Sequence, residues 1–279
     1  MSFADFMLRV QSVDTRIIRV LVFLAILIPL VNPLPVPMVV TDAPRTLYDF
    51  IEQLPPGSVM LVDTNISAAY RPTLYGTAEA VFSHAMRRGL RVVLTSFAPE
   101  GPMFNEQMIE SVAVPAGKVY GVDYVHLGYR AGGEGAVAEV LRDFHGAYDT
   151  DFHGNRVADI PIMQDVRTAR DVSLVVIHSA GGYAGGGWVR QAVDPYGLPL
   201  AVSVTGVMAP SHYPYTDAGQ IIALLSDMKS GAEYETLIQR PGVSLAGMGA
   251  QTFAHILIIL LIFLSNVSYF ANRGRRAKK

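Results

Sequence analysis

Residues Val175–Val193 read VVIHSAGGYAGGGWVRQAV, with His178 beside Ser179 and then five glycines within seven positions. Such a stretch could be a nucleophile elbow, a phosphate cradle or a turn from a strand into a helix. An elbow needs G-x-S-x-G, so that the serine sits on a strained turn. Here the first glycine is replaced by Ile177, which suits a strand interior. The dinucleotide fingerprint G-x-G-x-x-G also fails in each register, and no Walker lysine follows. Gly181, Gly182 and Gly185 would still expose backbone N–H groups ahead of a helix, which can hold an anion without a side chain. The competing expectation is close packing, where glycine lets backbone approach backbone. Packing is the favoured reading.

Other residues with chemical capacity fall where predicted strands end. Asp63 could act as a base or metal ligand, His178 as an acid–base group beside Ser179, and Arg130 as an anion clamp. Arg130 could equally pair with Glu134. In the loop VMAPSHYPYTDAGQ two prolines fix the backbone around His212, Tyr213 and Tyr215, giving rigid amphipathic rings for a ligand or a protein surface. A serine triad would need one of His84, His126, His145, His153 or His212 beside Ser179, and sequence does not choose among them. Trp188 reads as a core or interface residue, and Asn65-Ile66-Ser67 is formally a glycosylation sequon.

Met60–Ser67, MLVDTNIS, resembles the opening strand of PIN-domain ribonucleases over those eight residues. The resemblance implies a Mg²⁺ site with Asp63 as first ligand. Glu100 or Glu106 would be the second and Asp123 the third, since a hard cation needs several oxygen ligands. No later acidic cluster follows, so a metal-dependent ribonuclease is the minor reading and no metal or cofactor is expected.

These residues need elements to position them. Apolar, β-branched runs occur at Ser58–Asp63, Arg91–Ser96, Tyr124–Leu127, Val172–His178 and Leu200–Thr205. Helical stretches alternate with them at Thr46–Leu54, Leu74–Arg88, Phe104–Val112, Gly135–Phe144, Gly186–Val193 and Asp217–Leu237. Continuous apolar strands between helices predict an α/β fold, a Rossmann-like three-layer domain with a mostly parallel sheet. Arg87-Arg88-Gly89 predicts a helix end with a left-handed glycine. Thr150–Gln164 is the least regular part and reads as a surface excursion.

The chain has 279 residues, 51% hydrophobic and 16% charged. Two segments explain that balance: Val20–Thr41 has no charge, and Val243–Asn272 has only His255 as an ionisable group. About 20 apolar residues span a bilayer, so transmembrane helices are expected at both ends of the domain. Arg9, Arg16 and Arg19 precede the first, and Arg273, Arg275, Arg276, Lys278 and Lys279 follow the second. The positive-inside rule then predicts a two-pass protein of the cell membrane with both termini cytoplasmic. The expected parts are a cytoplasmic segment 1–19, a helix and Pro-rich stalk 20–41, an outer domain 42–245, a helix 246–270 and a basic tail 271–279.

A net charge of −2 argues against nucleic-acid binding, and the absence of cysteine excludes thiol chemistry. The expected partners are the bilayer and other subunits, as a homo- or hetero-oligomer. The sequence therefore favours a non-catalytic subunit of a membrane complex, using its outer domain for assembly or small-ligand binding. An enzyme acting on a small polar or phosphorylated substrate is the alternative.

Overall fold

The computed structural model describes residues 14–32, 37–181 and 184–276. It divides into two compact units, one of residues 38–244 and one of the flanking segments.

The larger unit holds α2 (Asp42–Gln53), β1 (Val59–Asn65), α3 (Arg71–Arg87), β2 (Arg91–Ser96), α4 (Gly101–Met108) and β3 (Tyr124–Tyr129). It continues through α5 (Gly133–Arg142), β4 (Leu174–Ser179), α6 (Ala184–Trp188), β5 (Leu200–Val204), β6 (Ala223–Ser226) and α7 (Asp227–Leu237). The six strands form one sheet in the order β3-β2-β1-β4-β5-β6, and all neighbours are parallel. The expected α/β architecture is therefore present. The strands read as unbroken apolar runs because both faces are covered.

Side-chain alternation along each strand divides the core in two. Leu61, Val93, Val125, Val175 and Val202 pack on one face with α5, α6 and the segment after α5. Met60, Val62, Leu94, Val176 and Ala201 pack on the other with α2, α3, α4 and α7. Gly89 takes φ +69° after α3, the left-handed conformation its position predicted.

Two expectations are corrected. The run Asp217–Leu237 is not one helix: Ala223–Ser226 forms β6, paired to β5 with Ala201 opposite Ala223. Its four residues contain no β-branched side chain, so the strand exists through that pairing and not through propensity. Thr150–Gln164 is a surface excursion only in part: residues 152–156 are exposed, but Val157, Ile160, Ile162 and Met163 are buried in the core, because apolar side chains recur along the irregular backbone.

In the other unit, α1 (Thr15–Val31) is apolar with mostly exposed side chains, is capped by Asp14, and contains Pro29 near its end. The long helix α8 (Val243–Arg276) begins at the domain boundary. Its segment Val243–Phe270 is long and apolar enough to cross a membrane. Among the described residues it is the one helix that meets this test. The Pro-rich stalk falls largely outside the described residues.

Candidate functional site at the strand switch point

β1 leads into α3 on one face of the sheet and β4 leads into α6 on the other. The carboxyl ends of β1 and β4 are therefore the switch point, the position at which open α/β sheets bind ligands. Asp63, Thr64 and Asn65 come from β1, and His178 and Ser179 from β4. Asp63 is fully buried; its Oδ2 accepts from Asn65 Nδ2 at 2.7 Å and from Trp188 Nε1 at 3.0 Å. Its Oδ1 has no partner among the described residues. Burial raises the Asp63 carboxyl to about 7, against the lowering effect of those hydrogen bonds.

His178 does not join Asp63. It stands opposite Thr64 in the parallel register, whereas Asp63 stands opposite Ile177. The pleat therefore sends the two side chains to opposite faces of the sheet. Both His178 ring nitrogens and Thr64 Oγ1 are buried without partners among the described residues. Burial pushes the imidazole down to about 3, so it is neutral at physiological pH. His178 is therefore enclosed on the face of the sheet away from Asp63.

The glycine-rich turn follows the packing reading. Ser179 is buried, and its Oγ accepts the N–H of Gly181 at 2.9 Å. Gly182 lies outside the described residues. A Cβ on Gly185 would collide with the His212 ring, and one on Gly186 would lie 2.6 Å from the Tyr215 hydroxyl. These glycines admit the aromatic loop after β5. The α6 turn then widens at once into a π-helical turn, Val189–Val193. His212 is itself buried, with Nδ1 on Met208 O at 2.9 Å and Ser211 Oγ at 3.0 Å. None of the other candidate triad histidines bonds Ser179. His84 binds Tyr234 and Glu52, His126 binds Glu106 and Asn105, and His145 binds Met163 O.

Arg130 is engaged within the domain. Its Nε and Nη2 donate to Glu139 Oε2 at 3.2 and 2.7 Å, and Nη1 donates to Ala147 O. The guanidinium holds the Glu139 carboxyl below its ordinary range. Glu134 binds Arg190 and Gln191 instead of Arg130. The Asn65 amide is also engaged at both ends, by Asp63 and by the Phe97 N–H at 2.8 Å, so the sequon is not accessible.

The nuclease ligand set is dispersed. Glu106 binds His126 on the α4 side of the sheet, opposite Asp63. Asp123 caps Val119 N–H just before β3, at the other end of the strands. Glu100 accepts from Ala68 N–H. Among the described residues no group of three or more His, Asp or Glu side chains is placed to hold a metal ion.

Sequence reading missed three partners in this region. Trp188 is a core residue as expected, but it also donates to Asp63. Tyr148 bonds Thr95 Oγ1 at 2.6 Å, and Thr95 is the register neighbour of Asp63. His126 is gripped by Glu106 at 2.9 Å. No local motif marks these pairs.

At the carboxyl edge polar groups turn inward while several large apolar groups stand outside. Tyr70 after β1, Met103 after β2, Tyr129 at the end of β3, and Val207 and Tyr213 after β5 are all exposed, Val207 at 89%. Tyr215 is only partly exposed and packs against the core. No family model matches the chain, and no curated protein matches it in sequence.

Proposed function

We propose that this protein is a membrane-anchored, non-catalytic subunit that docks another protein on the carboxyl-edge loops of its α/β domain. The observation that carries this reading is the inversion at that edge. The residues equipped for chemistry are engaged within the fold or separated by the sheet, while four segments at the strand ends present large apolar side chains. Exposed apolar groups gathered at one edge of a domain fit a partner surface. Tyr213, on a proline-bounded turn, is a rigid anchor of the kind that dominates interfaces.

The deciding experiment is native mass spectrometry of the full-length protein, extracted from its own membrane in mild detergent. A stoichiometric protein partner or a defined oligomer is expected. Tyr213→Ser combined with Val207→Asp should abolish it without changing the circular dichroism spectrum. A chain that emerges alone would overturn the reading.

One observation favours a second reading, a site for a small polar substrate. Asp63 is a buried acid near neutrality with one oxygen unpartnered, at the position where such sheets bind ligands. On that reading the chain emerges with a bound small molecule, which Asp63→Asn removes.

The topology we propose is two-pass, with α1 as the second span and residues 42–245 outside. It is supported by the apolar character of α1 and by the basic flanks of both helices. Truncation after Ser244 tests it. A two-pass protein keeps its carbonate-resistant membrane association, and a protein anchored by α8 alone loses it.

A further inference from the structure

Helix α7 carries three acidic residues that grip main-chain N–H groups outside the helix. Asp227 Oδ1 accepts from Gly206 N at 2.8 Å, in the loop that continues to Val207 and Tyr213. Glu233 Oε2 accepts from Thr41 N at 3.2 Å and Thr41 Oγ1 at 2.6 Å, and its other oxygen takes Lys229 Nζ. Glu235 accepts from Gly242 N and Ser244 N, each at 2.9 Å. Thr41 lies where the chain enters the domain, and Gly242 to Ser244 where it leaves into α8. One helix therefore holds both ends of the domain and an exposed loop of its carboxyl edge.

The local details indicate a tight linkage. Asp227 adopts φ +57°, which strains a residue with a Cβ by about 1 kcal/mol or more. Its carboxylate occupies the space that a Cβ on Gly206 would need. Glu233 and Glu235 are buried, where a carboxylate depends on its hydrogen-bond donors. Gly76 of α3 and Gly231 of α7 both stand against the Ser244 side chain, where any side chain of their own would collide with it. Ser244 is therefore packed directly on α7.

We infer that α7 is a coupling rod: displacement of the loop at 206–213 reaches the chain ends at 41 and 242–244, and displacement of those ends reaches the loop. Coupling between sites is reciprocal. The inference rests on the docking reading only for what presses on the loop, a protein surface covering Val207 and Tyr213. The rod itself stands on the contacts of α7.

Hydrogen exchange of the full-length protein in detergent tests it without any partner. Asp227→Asn weakens the grip on Gly206, and exchange should rise about tenfold at 206–211 as that segment opens locally. The coupling predicts a rise of about threefold or more at 41–45 and 242–246 as well, with 124–129 in β3 unchanged. Thr41→Val, which deletes one hydroxyl, should raise exchange at 206–211 in return. If each variant alters only its own segment, the rod is wrong and the docking reading is untouched. If Asp227→Asn loses protection throughout the sheet, the milder Thr41→Val decides: a rise at 206–211 supports coupling and none overturns it.

Discussion

The indole Nε1 of Trp188 donates to Oδ2 of Asp63 at 3.0 Å, with both side chains fully buried, tying α6 to β1 beside the switch point. Trp188 is the only tryptophan in the chain, so its emission reports on this bond. Asp63 titrates near 7, and ionisation changes the charge on the acceptor. Emission should therefore shift with a midpoint near neutral pH in the wild type and stay flat in Asp63→Asn. A flat wild-type profile between about pH 5 and 9 would place the carboxyl far from 7.

The two buried ionisable groups at the switch point oppose each other in stability. Asp63 rises from 3.8 to about 7 on folding. Between those values the folded chain holds a proton that the unfolded chain lacks, so stability falls as pH rises, by about 1.4 kcal/mol per unit. His178 falls from 6.5 to about 3. Between those values the unfolded chain holds the extra proton, so stability falls as pH drops. From about pH 4 to 6.5 the two slopes cancel. Asp63→Asn should uncover the acid-side loss, and His178→Gln the loss toward neutral pH. Thermal unfolding of each variant and the wild type across this range checks both signs.

Gly185 meets the His212 ring so closely that a methyl group cannot be added without moving it. Gly185→Ala should lower stability by about 1–3 kcal/mol, the usual cost of overpacking. His212→Ala in the same chain should restore part of the loss. If Gly185→Ala were harmless alone, the glycine would serve something other than close approach.

Arg130 pairs with Glu139 at the surface, where solvent screening leaves such pairs contributing little. Its bond to Ala147 O adds a modest further contribution. Arg130→Lys should therefore shift the unfolding midpoint by a few degrees at most, and high salt should shrink the difference. A variant that keeps its stability but loses a bound anion would return Arg130 to the role of a clamp.

The sequence made the layers legible but not the grouping of the site. The runs SVMLVD, RVVLTS and VSLVVIH announce buried strands because a parallel sheet hides both faces. ALLS at 223–226 announces nothing, because its strand identity is conferred by β5. Asp63 and His178 look like neighbours in a list of strand ends. Alternation fixes the facing of each residue only relative to its own strand.

By itself, then, the sequence determined the α/β alternation, an apolar helix long enough to cross a membrane, and a glycine turn that is not an elbow. These follow from hydropathy and backbone sterics, which act over a few residues. Tertiary structure alone decided the strand order, the partners of Arg130 and Asp63, and the faces on which Asp63 and His178 lie. Register between β1 and β4 sets those faces, and register is fixed by hydrogen bonds between segments more than a hundred residues apart.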